Sequence, residues 1–403
     1  MATLATPLAG DGPGAPTTPA SALLPVYKRA PMELVRGDGI RLYDAEGREY
    51  VDFTSGIAVS ALGYGDPGLR DAIRRAADGL VHVSNLFRTA PGERLARKLA
   101  DRSFADRVFF CNSGVEANEG AFKFARRWAR TVGTLAKHEI VGLRGAFHGR
   151  LFASLAATDR PNYRAPFRPL AGGISIAERD LETLAGLLSA DTVAALVLEP
   201  IQGEGGVRVL DAGFLRELRA LTTERRIALL FDEIQCGLGR TGYLFAYERA
   251  GVAPDLLTLA KPIAGGLPMG AILMTEAIAG AIQPGDHGTT FGGGPLVASV
   301  AEYVLDRVSS PELLAGVRER GEWLGAALRD LAARTGHIRE VRGTGFFWGI
   351  DMHTPSAEVI GRARDEGLLL VGAGDYTIRI LPPLVASRDD LADGLQRLAR
   401  ALG

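Results

Sequence analysis

From about residue 104 the chain alternates short, continuously apolar runs with stretches of helical period. RVFFCNS (107–113) leads into VEANEGAFKFARRWAR (115–130), where Ala117, Ala121, Phe124, Ala125 and Trp128 recur at helical spacing, and HEIVGL (138–143) follows. AALVLEP (194–200), the helical FLRELRALTTERR (214–226), IALLFDEIQ (227–235), DLLTLAK (255–261) and AILMT (271–275) keep the rhythm. Strands apolar at successive positions are buried on both faces. The pattern predicts an α/β domain built on a mostly parallel sheet.

The two ends read differently. VRGDGIRLYDAEGREYVDFT (35–54) predicts a short antiparallel hairpin with Gly and Asp turns. The C-terminal part predicts helices near 297–308 and 311–334, strands near 345–351 and 377–381, and a last helix after 388. The expected organisation is a flexible tail over 1–21, a large domain over 69–299, and a smaller α+β domain from 22–68 and 300–403. The tail carries small, Pro/Gly/Thr-rich residues without periodicity.

At 403 residues with 47% hydrophobic composition, the chain can bury a large core and is no small binding module. Its 46 basic and 47 acidic residues nearly cancel. No overall field therefore favours nucleic acid or a membrane, and a small substrate is expected. Cys111 and Cys236 lie far apart without metal-ligand spacing. This disfavours a disulfide scaffold or structural zinc and fits a reducing cytoplasm. No stretch reaches the length of a spanning helix, and the N-terminus shows no basic region and apolar core of a signal peptide.

Five lysines stand against forty-one arginines, so chemistry that needs an amine has five candidates. Lys261 ends DLLTLAK, and Asp232 and Gln235 end ALLFDEIQ. An open parallel sheet presents its ligand crevice where such strands stop. A lysine at the end of a buried strand is costly unless paired or neutral, whereas an acid there is as often a turn residue. An amine of lowered pKa forms Schiff bases with carbonyl compounds, including pyridoxal phosphate. That cofactor also needs an acid for its ring nitrogen, a donor to its phenolic oxygen and a phosphate pocket. CNSGVEAN (111–118), a strand turning through Ser113 and Gly114 into a helix, offers free N–H groups for the phosphate. The Walker A pattern is absent, and GLGRTG (237–242) opens no convincing helix, so it reads as a loop and not a dinucleotide fingerprint.

The stretches LYDAEGREYVDFTSGIAVSALG, CNSGVEANEGAFKFAR, GAFHGR, LEPIQGEGGV, LLFDEIQCGLGRTG, TLAK, HGTTFGGGP and RILPPLV resemble, in order, signatures of the class III (ω-amino) aminotransferases, fold-type I pyridoxal-phosphate enzymes. The resemblance runs from about residue 25 to 401. FTSGIAV, SNLF (84–87) and FDEIQCGLGRTG look most like the acetylornithine branch of that class.

The resemblance implies roles. Lys261 would hold pyridoxal 5'-phosphate as a Schiff base and carry the proton; Asp232 would pair with the ring nitrogen and Gln235 with the phenolic oxygen. Ser113 and the N–H groups of Gly114 and Val115 would hold the phosphate, and Phe147 would stack on the ring. Arg150 would clamp a substrate carboxylate. Glu204 would neutralise Arg379 with acetylornithine bound and release it to the α-carboxylate of glutamate. Thr290 would reach the partner subunit's cofactor phosphate and Thr289 its substrate, making a homodimer the active unit. No metal is implied. The implied reaction moves the δ-amino group of N2-acetyl-L-ornithine to 2-oxoglutarate in arginine biosynthesis. Alternatives are succinyldiaminopimelate, carrier-linked aminoadipate semialdehyde, ornithine or 4-aminobutyrate as donor and, remotely, a non-catalytic binding protein. Ornithine aminotransferases place a tyrosine near Ile57 to hold a free α-amine, which an amide-capped donor does not need.

Three departures surround the site. Val115 stands where the class usually has Thr, Gly294 where it has Asn, and Pro262-Ile263-Ala264 where glycines are common. The first removes a hydroxyl near the phosphate and keeps the backbone N–H.

Overall fold

The computed structural model describes residues 22–403, so the tail expected over 1–21 lies outside the described residues. The chain divides into two units at Glu33/Leu34. Within the first, residues 22–33 contain neither helix nor strand and close two local bonds, Val26 N–H to Leu24 O and Met32 N–H to Ala30 O.

The second unit, Leu34–Gly403, is built on the alternating pattern. A seven-stranded sheet runs in the order Arg107–Cys111, Gly270–Met274, Leu256–Leu259, Ala228–Asp232, Val193–Leu198, Glu139–Leu143, Ile174–Ala177. Only Gly270–Met274 runs against its neighbours; the other pairings are parallel. Successive residues of one strand go to opposite faces. Ala228 and Leu230 pack with Ala121 and Phe124 of helix Gly114–Val132, whereas Leu229 and Phe231 pack with Leu215 and Leu218 of helix Ala212–Glu224. The double burial explains why these strands are apolar throughout.

Two smaller sheets come from the chain's ends. Leu34–Asp38, Arg41–Asp44 and Glu49–Asp52 pair antiparallel, and Leu368–Leu369 joins their edge in parallel. Residues 35–54 thus form three strands where one hairpin was expected, because Asp44 accepts the Arg48 N–H and closes a second turn. Ile338–Thr344, Phe347–Met352, Thr377–Ile380 and Val371–Ala373 form the other sheet. The strand expected near 345–351 is the second arm of a hairpin that turns at Gly345, whose φ of +55° suits glycine.

IALLFDEIQ (227–235) is extended only to Asp232. The Asp232 carboxylate accepts the Ile234 N–H at 3.1 Å, which bends the chain out of the sheet. Gln235 therefore lies beyond the strand, in the run of turns that carries GLGRTG as a loop. Helices Pro67–Ala77 and Ala90–Asp101, which the apolar pattern left unassigned, begin with Pro at their first turns, and Asp66 caps the former.

Candidate active site

Parallel strands end on the same side, so the segments after them gather at one edge of the sheet. Glu199 follows Val193–Leu198, Asp232 ends Ala228–Asp232, and Lys261 lies two residues past Leu256–Leu259. Residues 144–149 follow Glu139–Leu143, and helix Gly114–Val132 opens after Arg107–Cys111. A cavity of about 490 Å³ lies among them. Lys261, Asp232 and Gln235 line it, as do Ser113, Gly114 and Val115, and Phe147, Arg150 and Glu204. Nine residues singled out from the sequence thus meet in one place.

Lys261 is held at φ +42°, an uncommon setting for a residue with a side chain. Its amine has no hydrogen-bond partner among the described residues. The protein packed around it pushes its ammonium below the usual lysine range. The carboxylates of Asp232, Glu199 and Glu204 oppose this, and Arg379 adds to it.

Asp232 is fixed by groups that the sequence reading missed. Its Oδ2 accepts from Asn118 Nδ2 at 2.8 Å and lies 2.8 Å from His148 Nδ1. Asn118 is oriented in turn by the Thr258 hydroxyl, 2.8 Å from its Oδ1, and by donating to the His148 carbonyl at 2.7 Å. The buried His148 Nε2 has no partner among the described residues. Asn118 stands on the first turns of its helix and His148 beside Phe147, but only the fold brings either to Asp232.

At the helix start, Ser113 accepts the Glu116 N–H through its side chain. The Gly114 and Val115 N–H groups have no acceptor among the described residues, and both residues line the cavity. A Cβ at 114 would come within 2.7 Å of the Ile234 side chain, which would have to shift to admit it. Phe147 meets Tyr163 edge-on at 6.4 Å, and the Arg150 guanidinium lies over the Tyr163 ring at 3.9 Å.

Arg379 does not line the cavity but is bonded to two residues that do. Its Nη1 donates to Gln235 Oε1 at 3.1 Å and its Nη2 to Glu204 Oε1 at 2.8 Å. Thr289 and Thr290 line a second cavity of about 810 Å³ with Asn85, Leu86 and Phe87, and Thr289 Oγ1 accepts from Asn112, a lining residue of the first cavity, at 3.3 Å.

These features fit a pyridine cofactor bearing a phosphate. The helix start offers unused N–H donors, Lys261 offers an amine of lowered pKa, and Asp232 is an acid held in place by two donors. The family model for class-III aminotransferases matches residues 25–402.

The chain belongs to the class-III aminotransferases.

This class-III aminotransferase is a pyridoxal-phosphate-dependent transferase. It is 45% identical over 385 residues to the mitochondrial acetylornithine aminotransferase of Alnus glutinosa, covering 94% of this chain and 85% of the relative. It is 42% identical to the acetylornithine aminotransferase of Methanocaldococcus jannaschii, covering 91% and 92%. It is also 42% identical to the succinylornithine transaminase of Yersinia enterocolitica, covering 94% of each. Among solved structures, the N-acetylornithine aminotransferase of Stenotrophomonas maltophilia matches with a TM-score of 0.81 at 37% identity, over 93% of this chain and 96% of that one. The ornithine aminotransferase of Toxoplasma gondii matches at 0.90 and 29% identity, over 94% and 92%. The fold-type I architecture expected of this class-III aminotransferase is the one observed. Among the described residues, no helix is long and apolar enough to cross a membrane.

Proposed function

We propose that this enzyme moves the δ-amino group of N2-acetyl-L-ornithine to 2-oxoglutarate, as a step of arginine biosynthesis. The observation that carries the reading is the buried Arg379 masked by Glu204 beside a cavity that also holds Lys261 and Arg150. The names of relatives 42–45% identical to the chain support it. N2-succinylornithine is a second reading, favoured by the Yersinia relative. Both donors are amide-capped and leave no free α-amine to be held.

Lys261 would hold the cofactor through its amine and carry the proton at Nζ. Asp232, steadied by His148 and Asn118, would keep the ring nitrogen protonated, and Gln235 would serve the phenolic oxygen. Ser113, Gly114 and Val115 would bind the phosphate at the helix start, and Phe147 would cover one ring face. When bound, the cofactor supplies an electron sink for the charge that develops at the substrate carbon.

Arg150 would take the α-carboxylate of the donor or the side-chain carboxylate of 2-oxoglutarate. With the donor, Glu204 would stay on Arg379. With 2-oxoglutarate or glutamate it would leave, and Arg379 would take the second carboxylate. One pocket thereby serves substrates that differ in their number of carboxylates.

We further propose a homodimer in which Thr289 and Thr290 serve the partner's site. They line a second cavity, beside Leu86, Phe87 and Phe291, which are apolar yet exposed, and Thr289 Oγ1 touches the Lys261 cavity through Asn112, whose amide donates to it at 3.3 Å. Large and small domains over 69–299 and over 22–68 with 300–403 remain our division of the chain. Two free, buried thiols, Cys111 and Cys236, support a reducing cytoplasm.

Initial-rate kinetics with N2-acetylornithine and 2-oxoglutarate test the reading. Glutamate should form with parallel double-reciprocal lines, since the two substrates react in alternation. Intersecting lines, or no glutamate, would overturn it.

A further inference from the structure

Glu199 lines the cavity, is only 5% exposed, and has no part in the roles described above. Its two oxygens serve two different loops. Oε1 accepts the Phe147 N–H at 2.9 Å, and Oε2 accepts the Gly203 N–H at 3.1 Å. The first loop carries His148, the neighbour of Asp232. The second carries Glu204, the partner of Arg379. One carboxylate spans the cofactor side and the substrate side.

The Gly203 contact bears on Arg379 twice. A Cβ at Gly203 would come within 2.0 Å of Gln235 Oε1, so this backbone packs directly against the amide that accepts from Arg379 Nη1. The next residue, Glu204, accepts from Arg379 Nη2. Arg379 Nε has no partner among the described residues, and its remaining acceptor is the Gly372 carbonyl at 2.8 Å. The aim of the guanidinium therefore depends on where the backbone lies at 203–204. Gln202 also crosses to the first loop by donating to the Arg144 carbonyl, and Arg160, from beyond helix Phe152–Ala156, donates to the Glu204 carbonyl. Glu199 differs from both in being a carboxylate and in lining the cavity.

We propose that Glu199 is a positioning residue that sets the Glu204–Arg379 pairing and thereby divides the site's preference between an amide-capped donor and an α-keto dicarboxylate acceptor. The inference rests on the two-substrate reading proposed above. If the Gly203 N–H loses its acceptor, the loop relaxes, Glu204 holds Arg379 less well, and the unmasked cation favours the dicarboxylate. Burial pushes the Glu199 carboxyl up to about 7, with His148 opposing and Asp232 adding. Lys261 and Cys236 also sense its charge. A neutral carboxyl accepts more weakly than a carboxylate. Preference should therefore drift toward the dicarboxylate as pH falls through that range.

Glu199→Gln keeps the shape but presents an amide NH2 to one of the two N–H donors. Amide hydrogen exchange at Phe147 and Gly203 in the cofactor-free protein should speed up at one of them by about tenfold, the upper end of one hydrogen bond's net worth. The ratio of kcat/KM for N2-acetylornithine to that for 2-oxoglutarate should fall by a similar ~10-fold, chiefly through KM, and lose its pH dependence near 7. If Glu199→Gln does not fold, Glu199→Asp, which keeps the charge on a shorter arm, should show the same direction. Unchanged exchange at both amides, or an equal loss in both half-reactions, would overturn the inference while the two-substrate reading stands. Wild-type enzyme that uses neither compound would overturn that reading, and the inference with it.

Discussion

Arg379 Nη2 lies 2.8 Å from Glu204 Oε1, with the arginine side chain 1% exposed and the glutamate side chain 23% exposed. The cation is fixed in the protein and the anion sits at its margin, so Glu204 is the member able to leave. A buried charge stripped of its partner is costly, which favours a carboxylate arriving in its place. Glu204→Ala should therefore lower kcat/KM for N2-acetylornithine by about tenfold or more while leaving that for 2-oxoglutarate equal or higher. Separate half-reactions followed by stopped-flow absorbance give both values. Equal losses in the two would contradict the switch.

Asp232 should depend on its neighbours for function as well as place. Asp232→Asn removes the acid, and turnover should fall on the order of 10²-fold or more, the usual worth of a positioned proton-holding group. His148→Ala leaves Asp232 Oδ2 with Asn118 as its remaining side-chain donor. Its activity should fall about 10- to 100-fold, as for one hydrogen bond to a charged group. Steady-state kinetics with bound cofactor quantified in the same samples separates weaker binding from slower reaction.

Val115→Thr should tighten cofactor binding. The two side chains have the same shape, and threonine returns a hydroxyl at the helix start. The space there is narrow, because a Cβ on Gly149 would lie 2.3 Å from Val115 Cγ2. The expected gain is about 0.5–1.5 kcal/mol, measured by titrating cofactor into the stripped protein. No gain would mean that the hydroxyl cannot face the phosphate.

Much of this site was legible in the sequence, for a physical reason. Lys261 and Asp232 end apolar runs, and strands buried on both faces deliver their last residues to one edge of a sheet. Gln235 was assigned to the wrong element because apolar character continues past the point where Asp232 turns the chain. Asn118, His148 and Glu199 lie inside family-like stretches, but no spacing or periodicity gave them a role. Asn118 meets Asp232 across 114 residues of sequence, and polar residues on a helix or in a loop show no periodicity that reveals such a partner. The Glu204–Arg379 pair, 175 residues apart, was visible only through the family motifs.

Glu233, beside the catalytic Asp232 candidate, should give the stability of the cofactor-free protein a distinct pH dependence. Burial pushes its carboxyl from 4.5 up to about 8, although the Ala246 and Tyr247 N–H groups oppose the shift. A carboxyl whose pKa is raised by folding holds more protons in the folded state than in the unfolded one. Its contribution is complete below pH 4.5 and is lost as pH rises through about 8. Urea unfolding across that range should show stability falling with pH, and Glu233→Gln should flatten the slope. A slope unchanged in the variant would remove Glu233 as its source.

The amino donor is the centre of the account, and a competition among donors tests it most directly. With 2-oxoglutarate as the common acceptor, kcat/KM should be highest for N2-acetylornithine or its N2-succinyl analogue, and lower for ornithine, succinyldiaminopimelate and 4-aminobutyrate. A higher value for ornithine or 4-aminobutyrate would contradict the assignment.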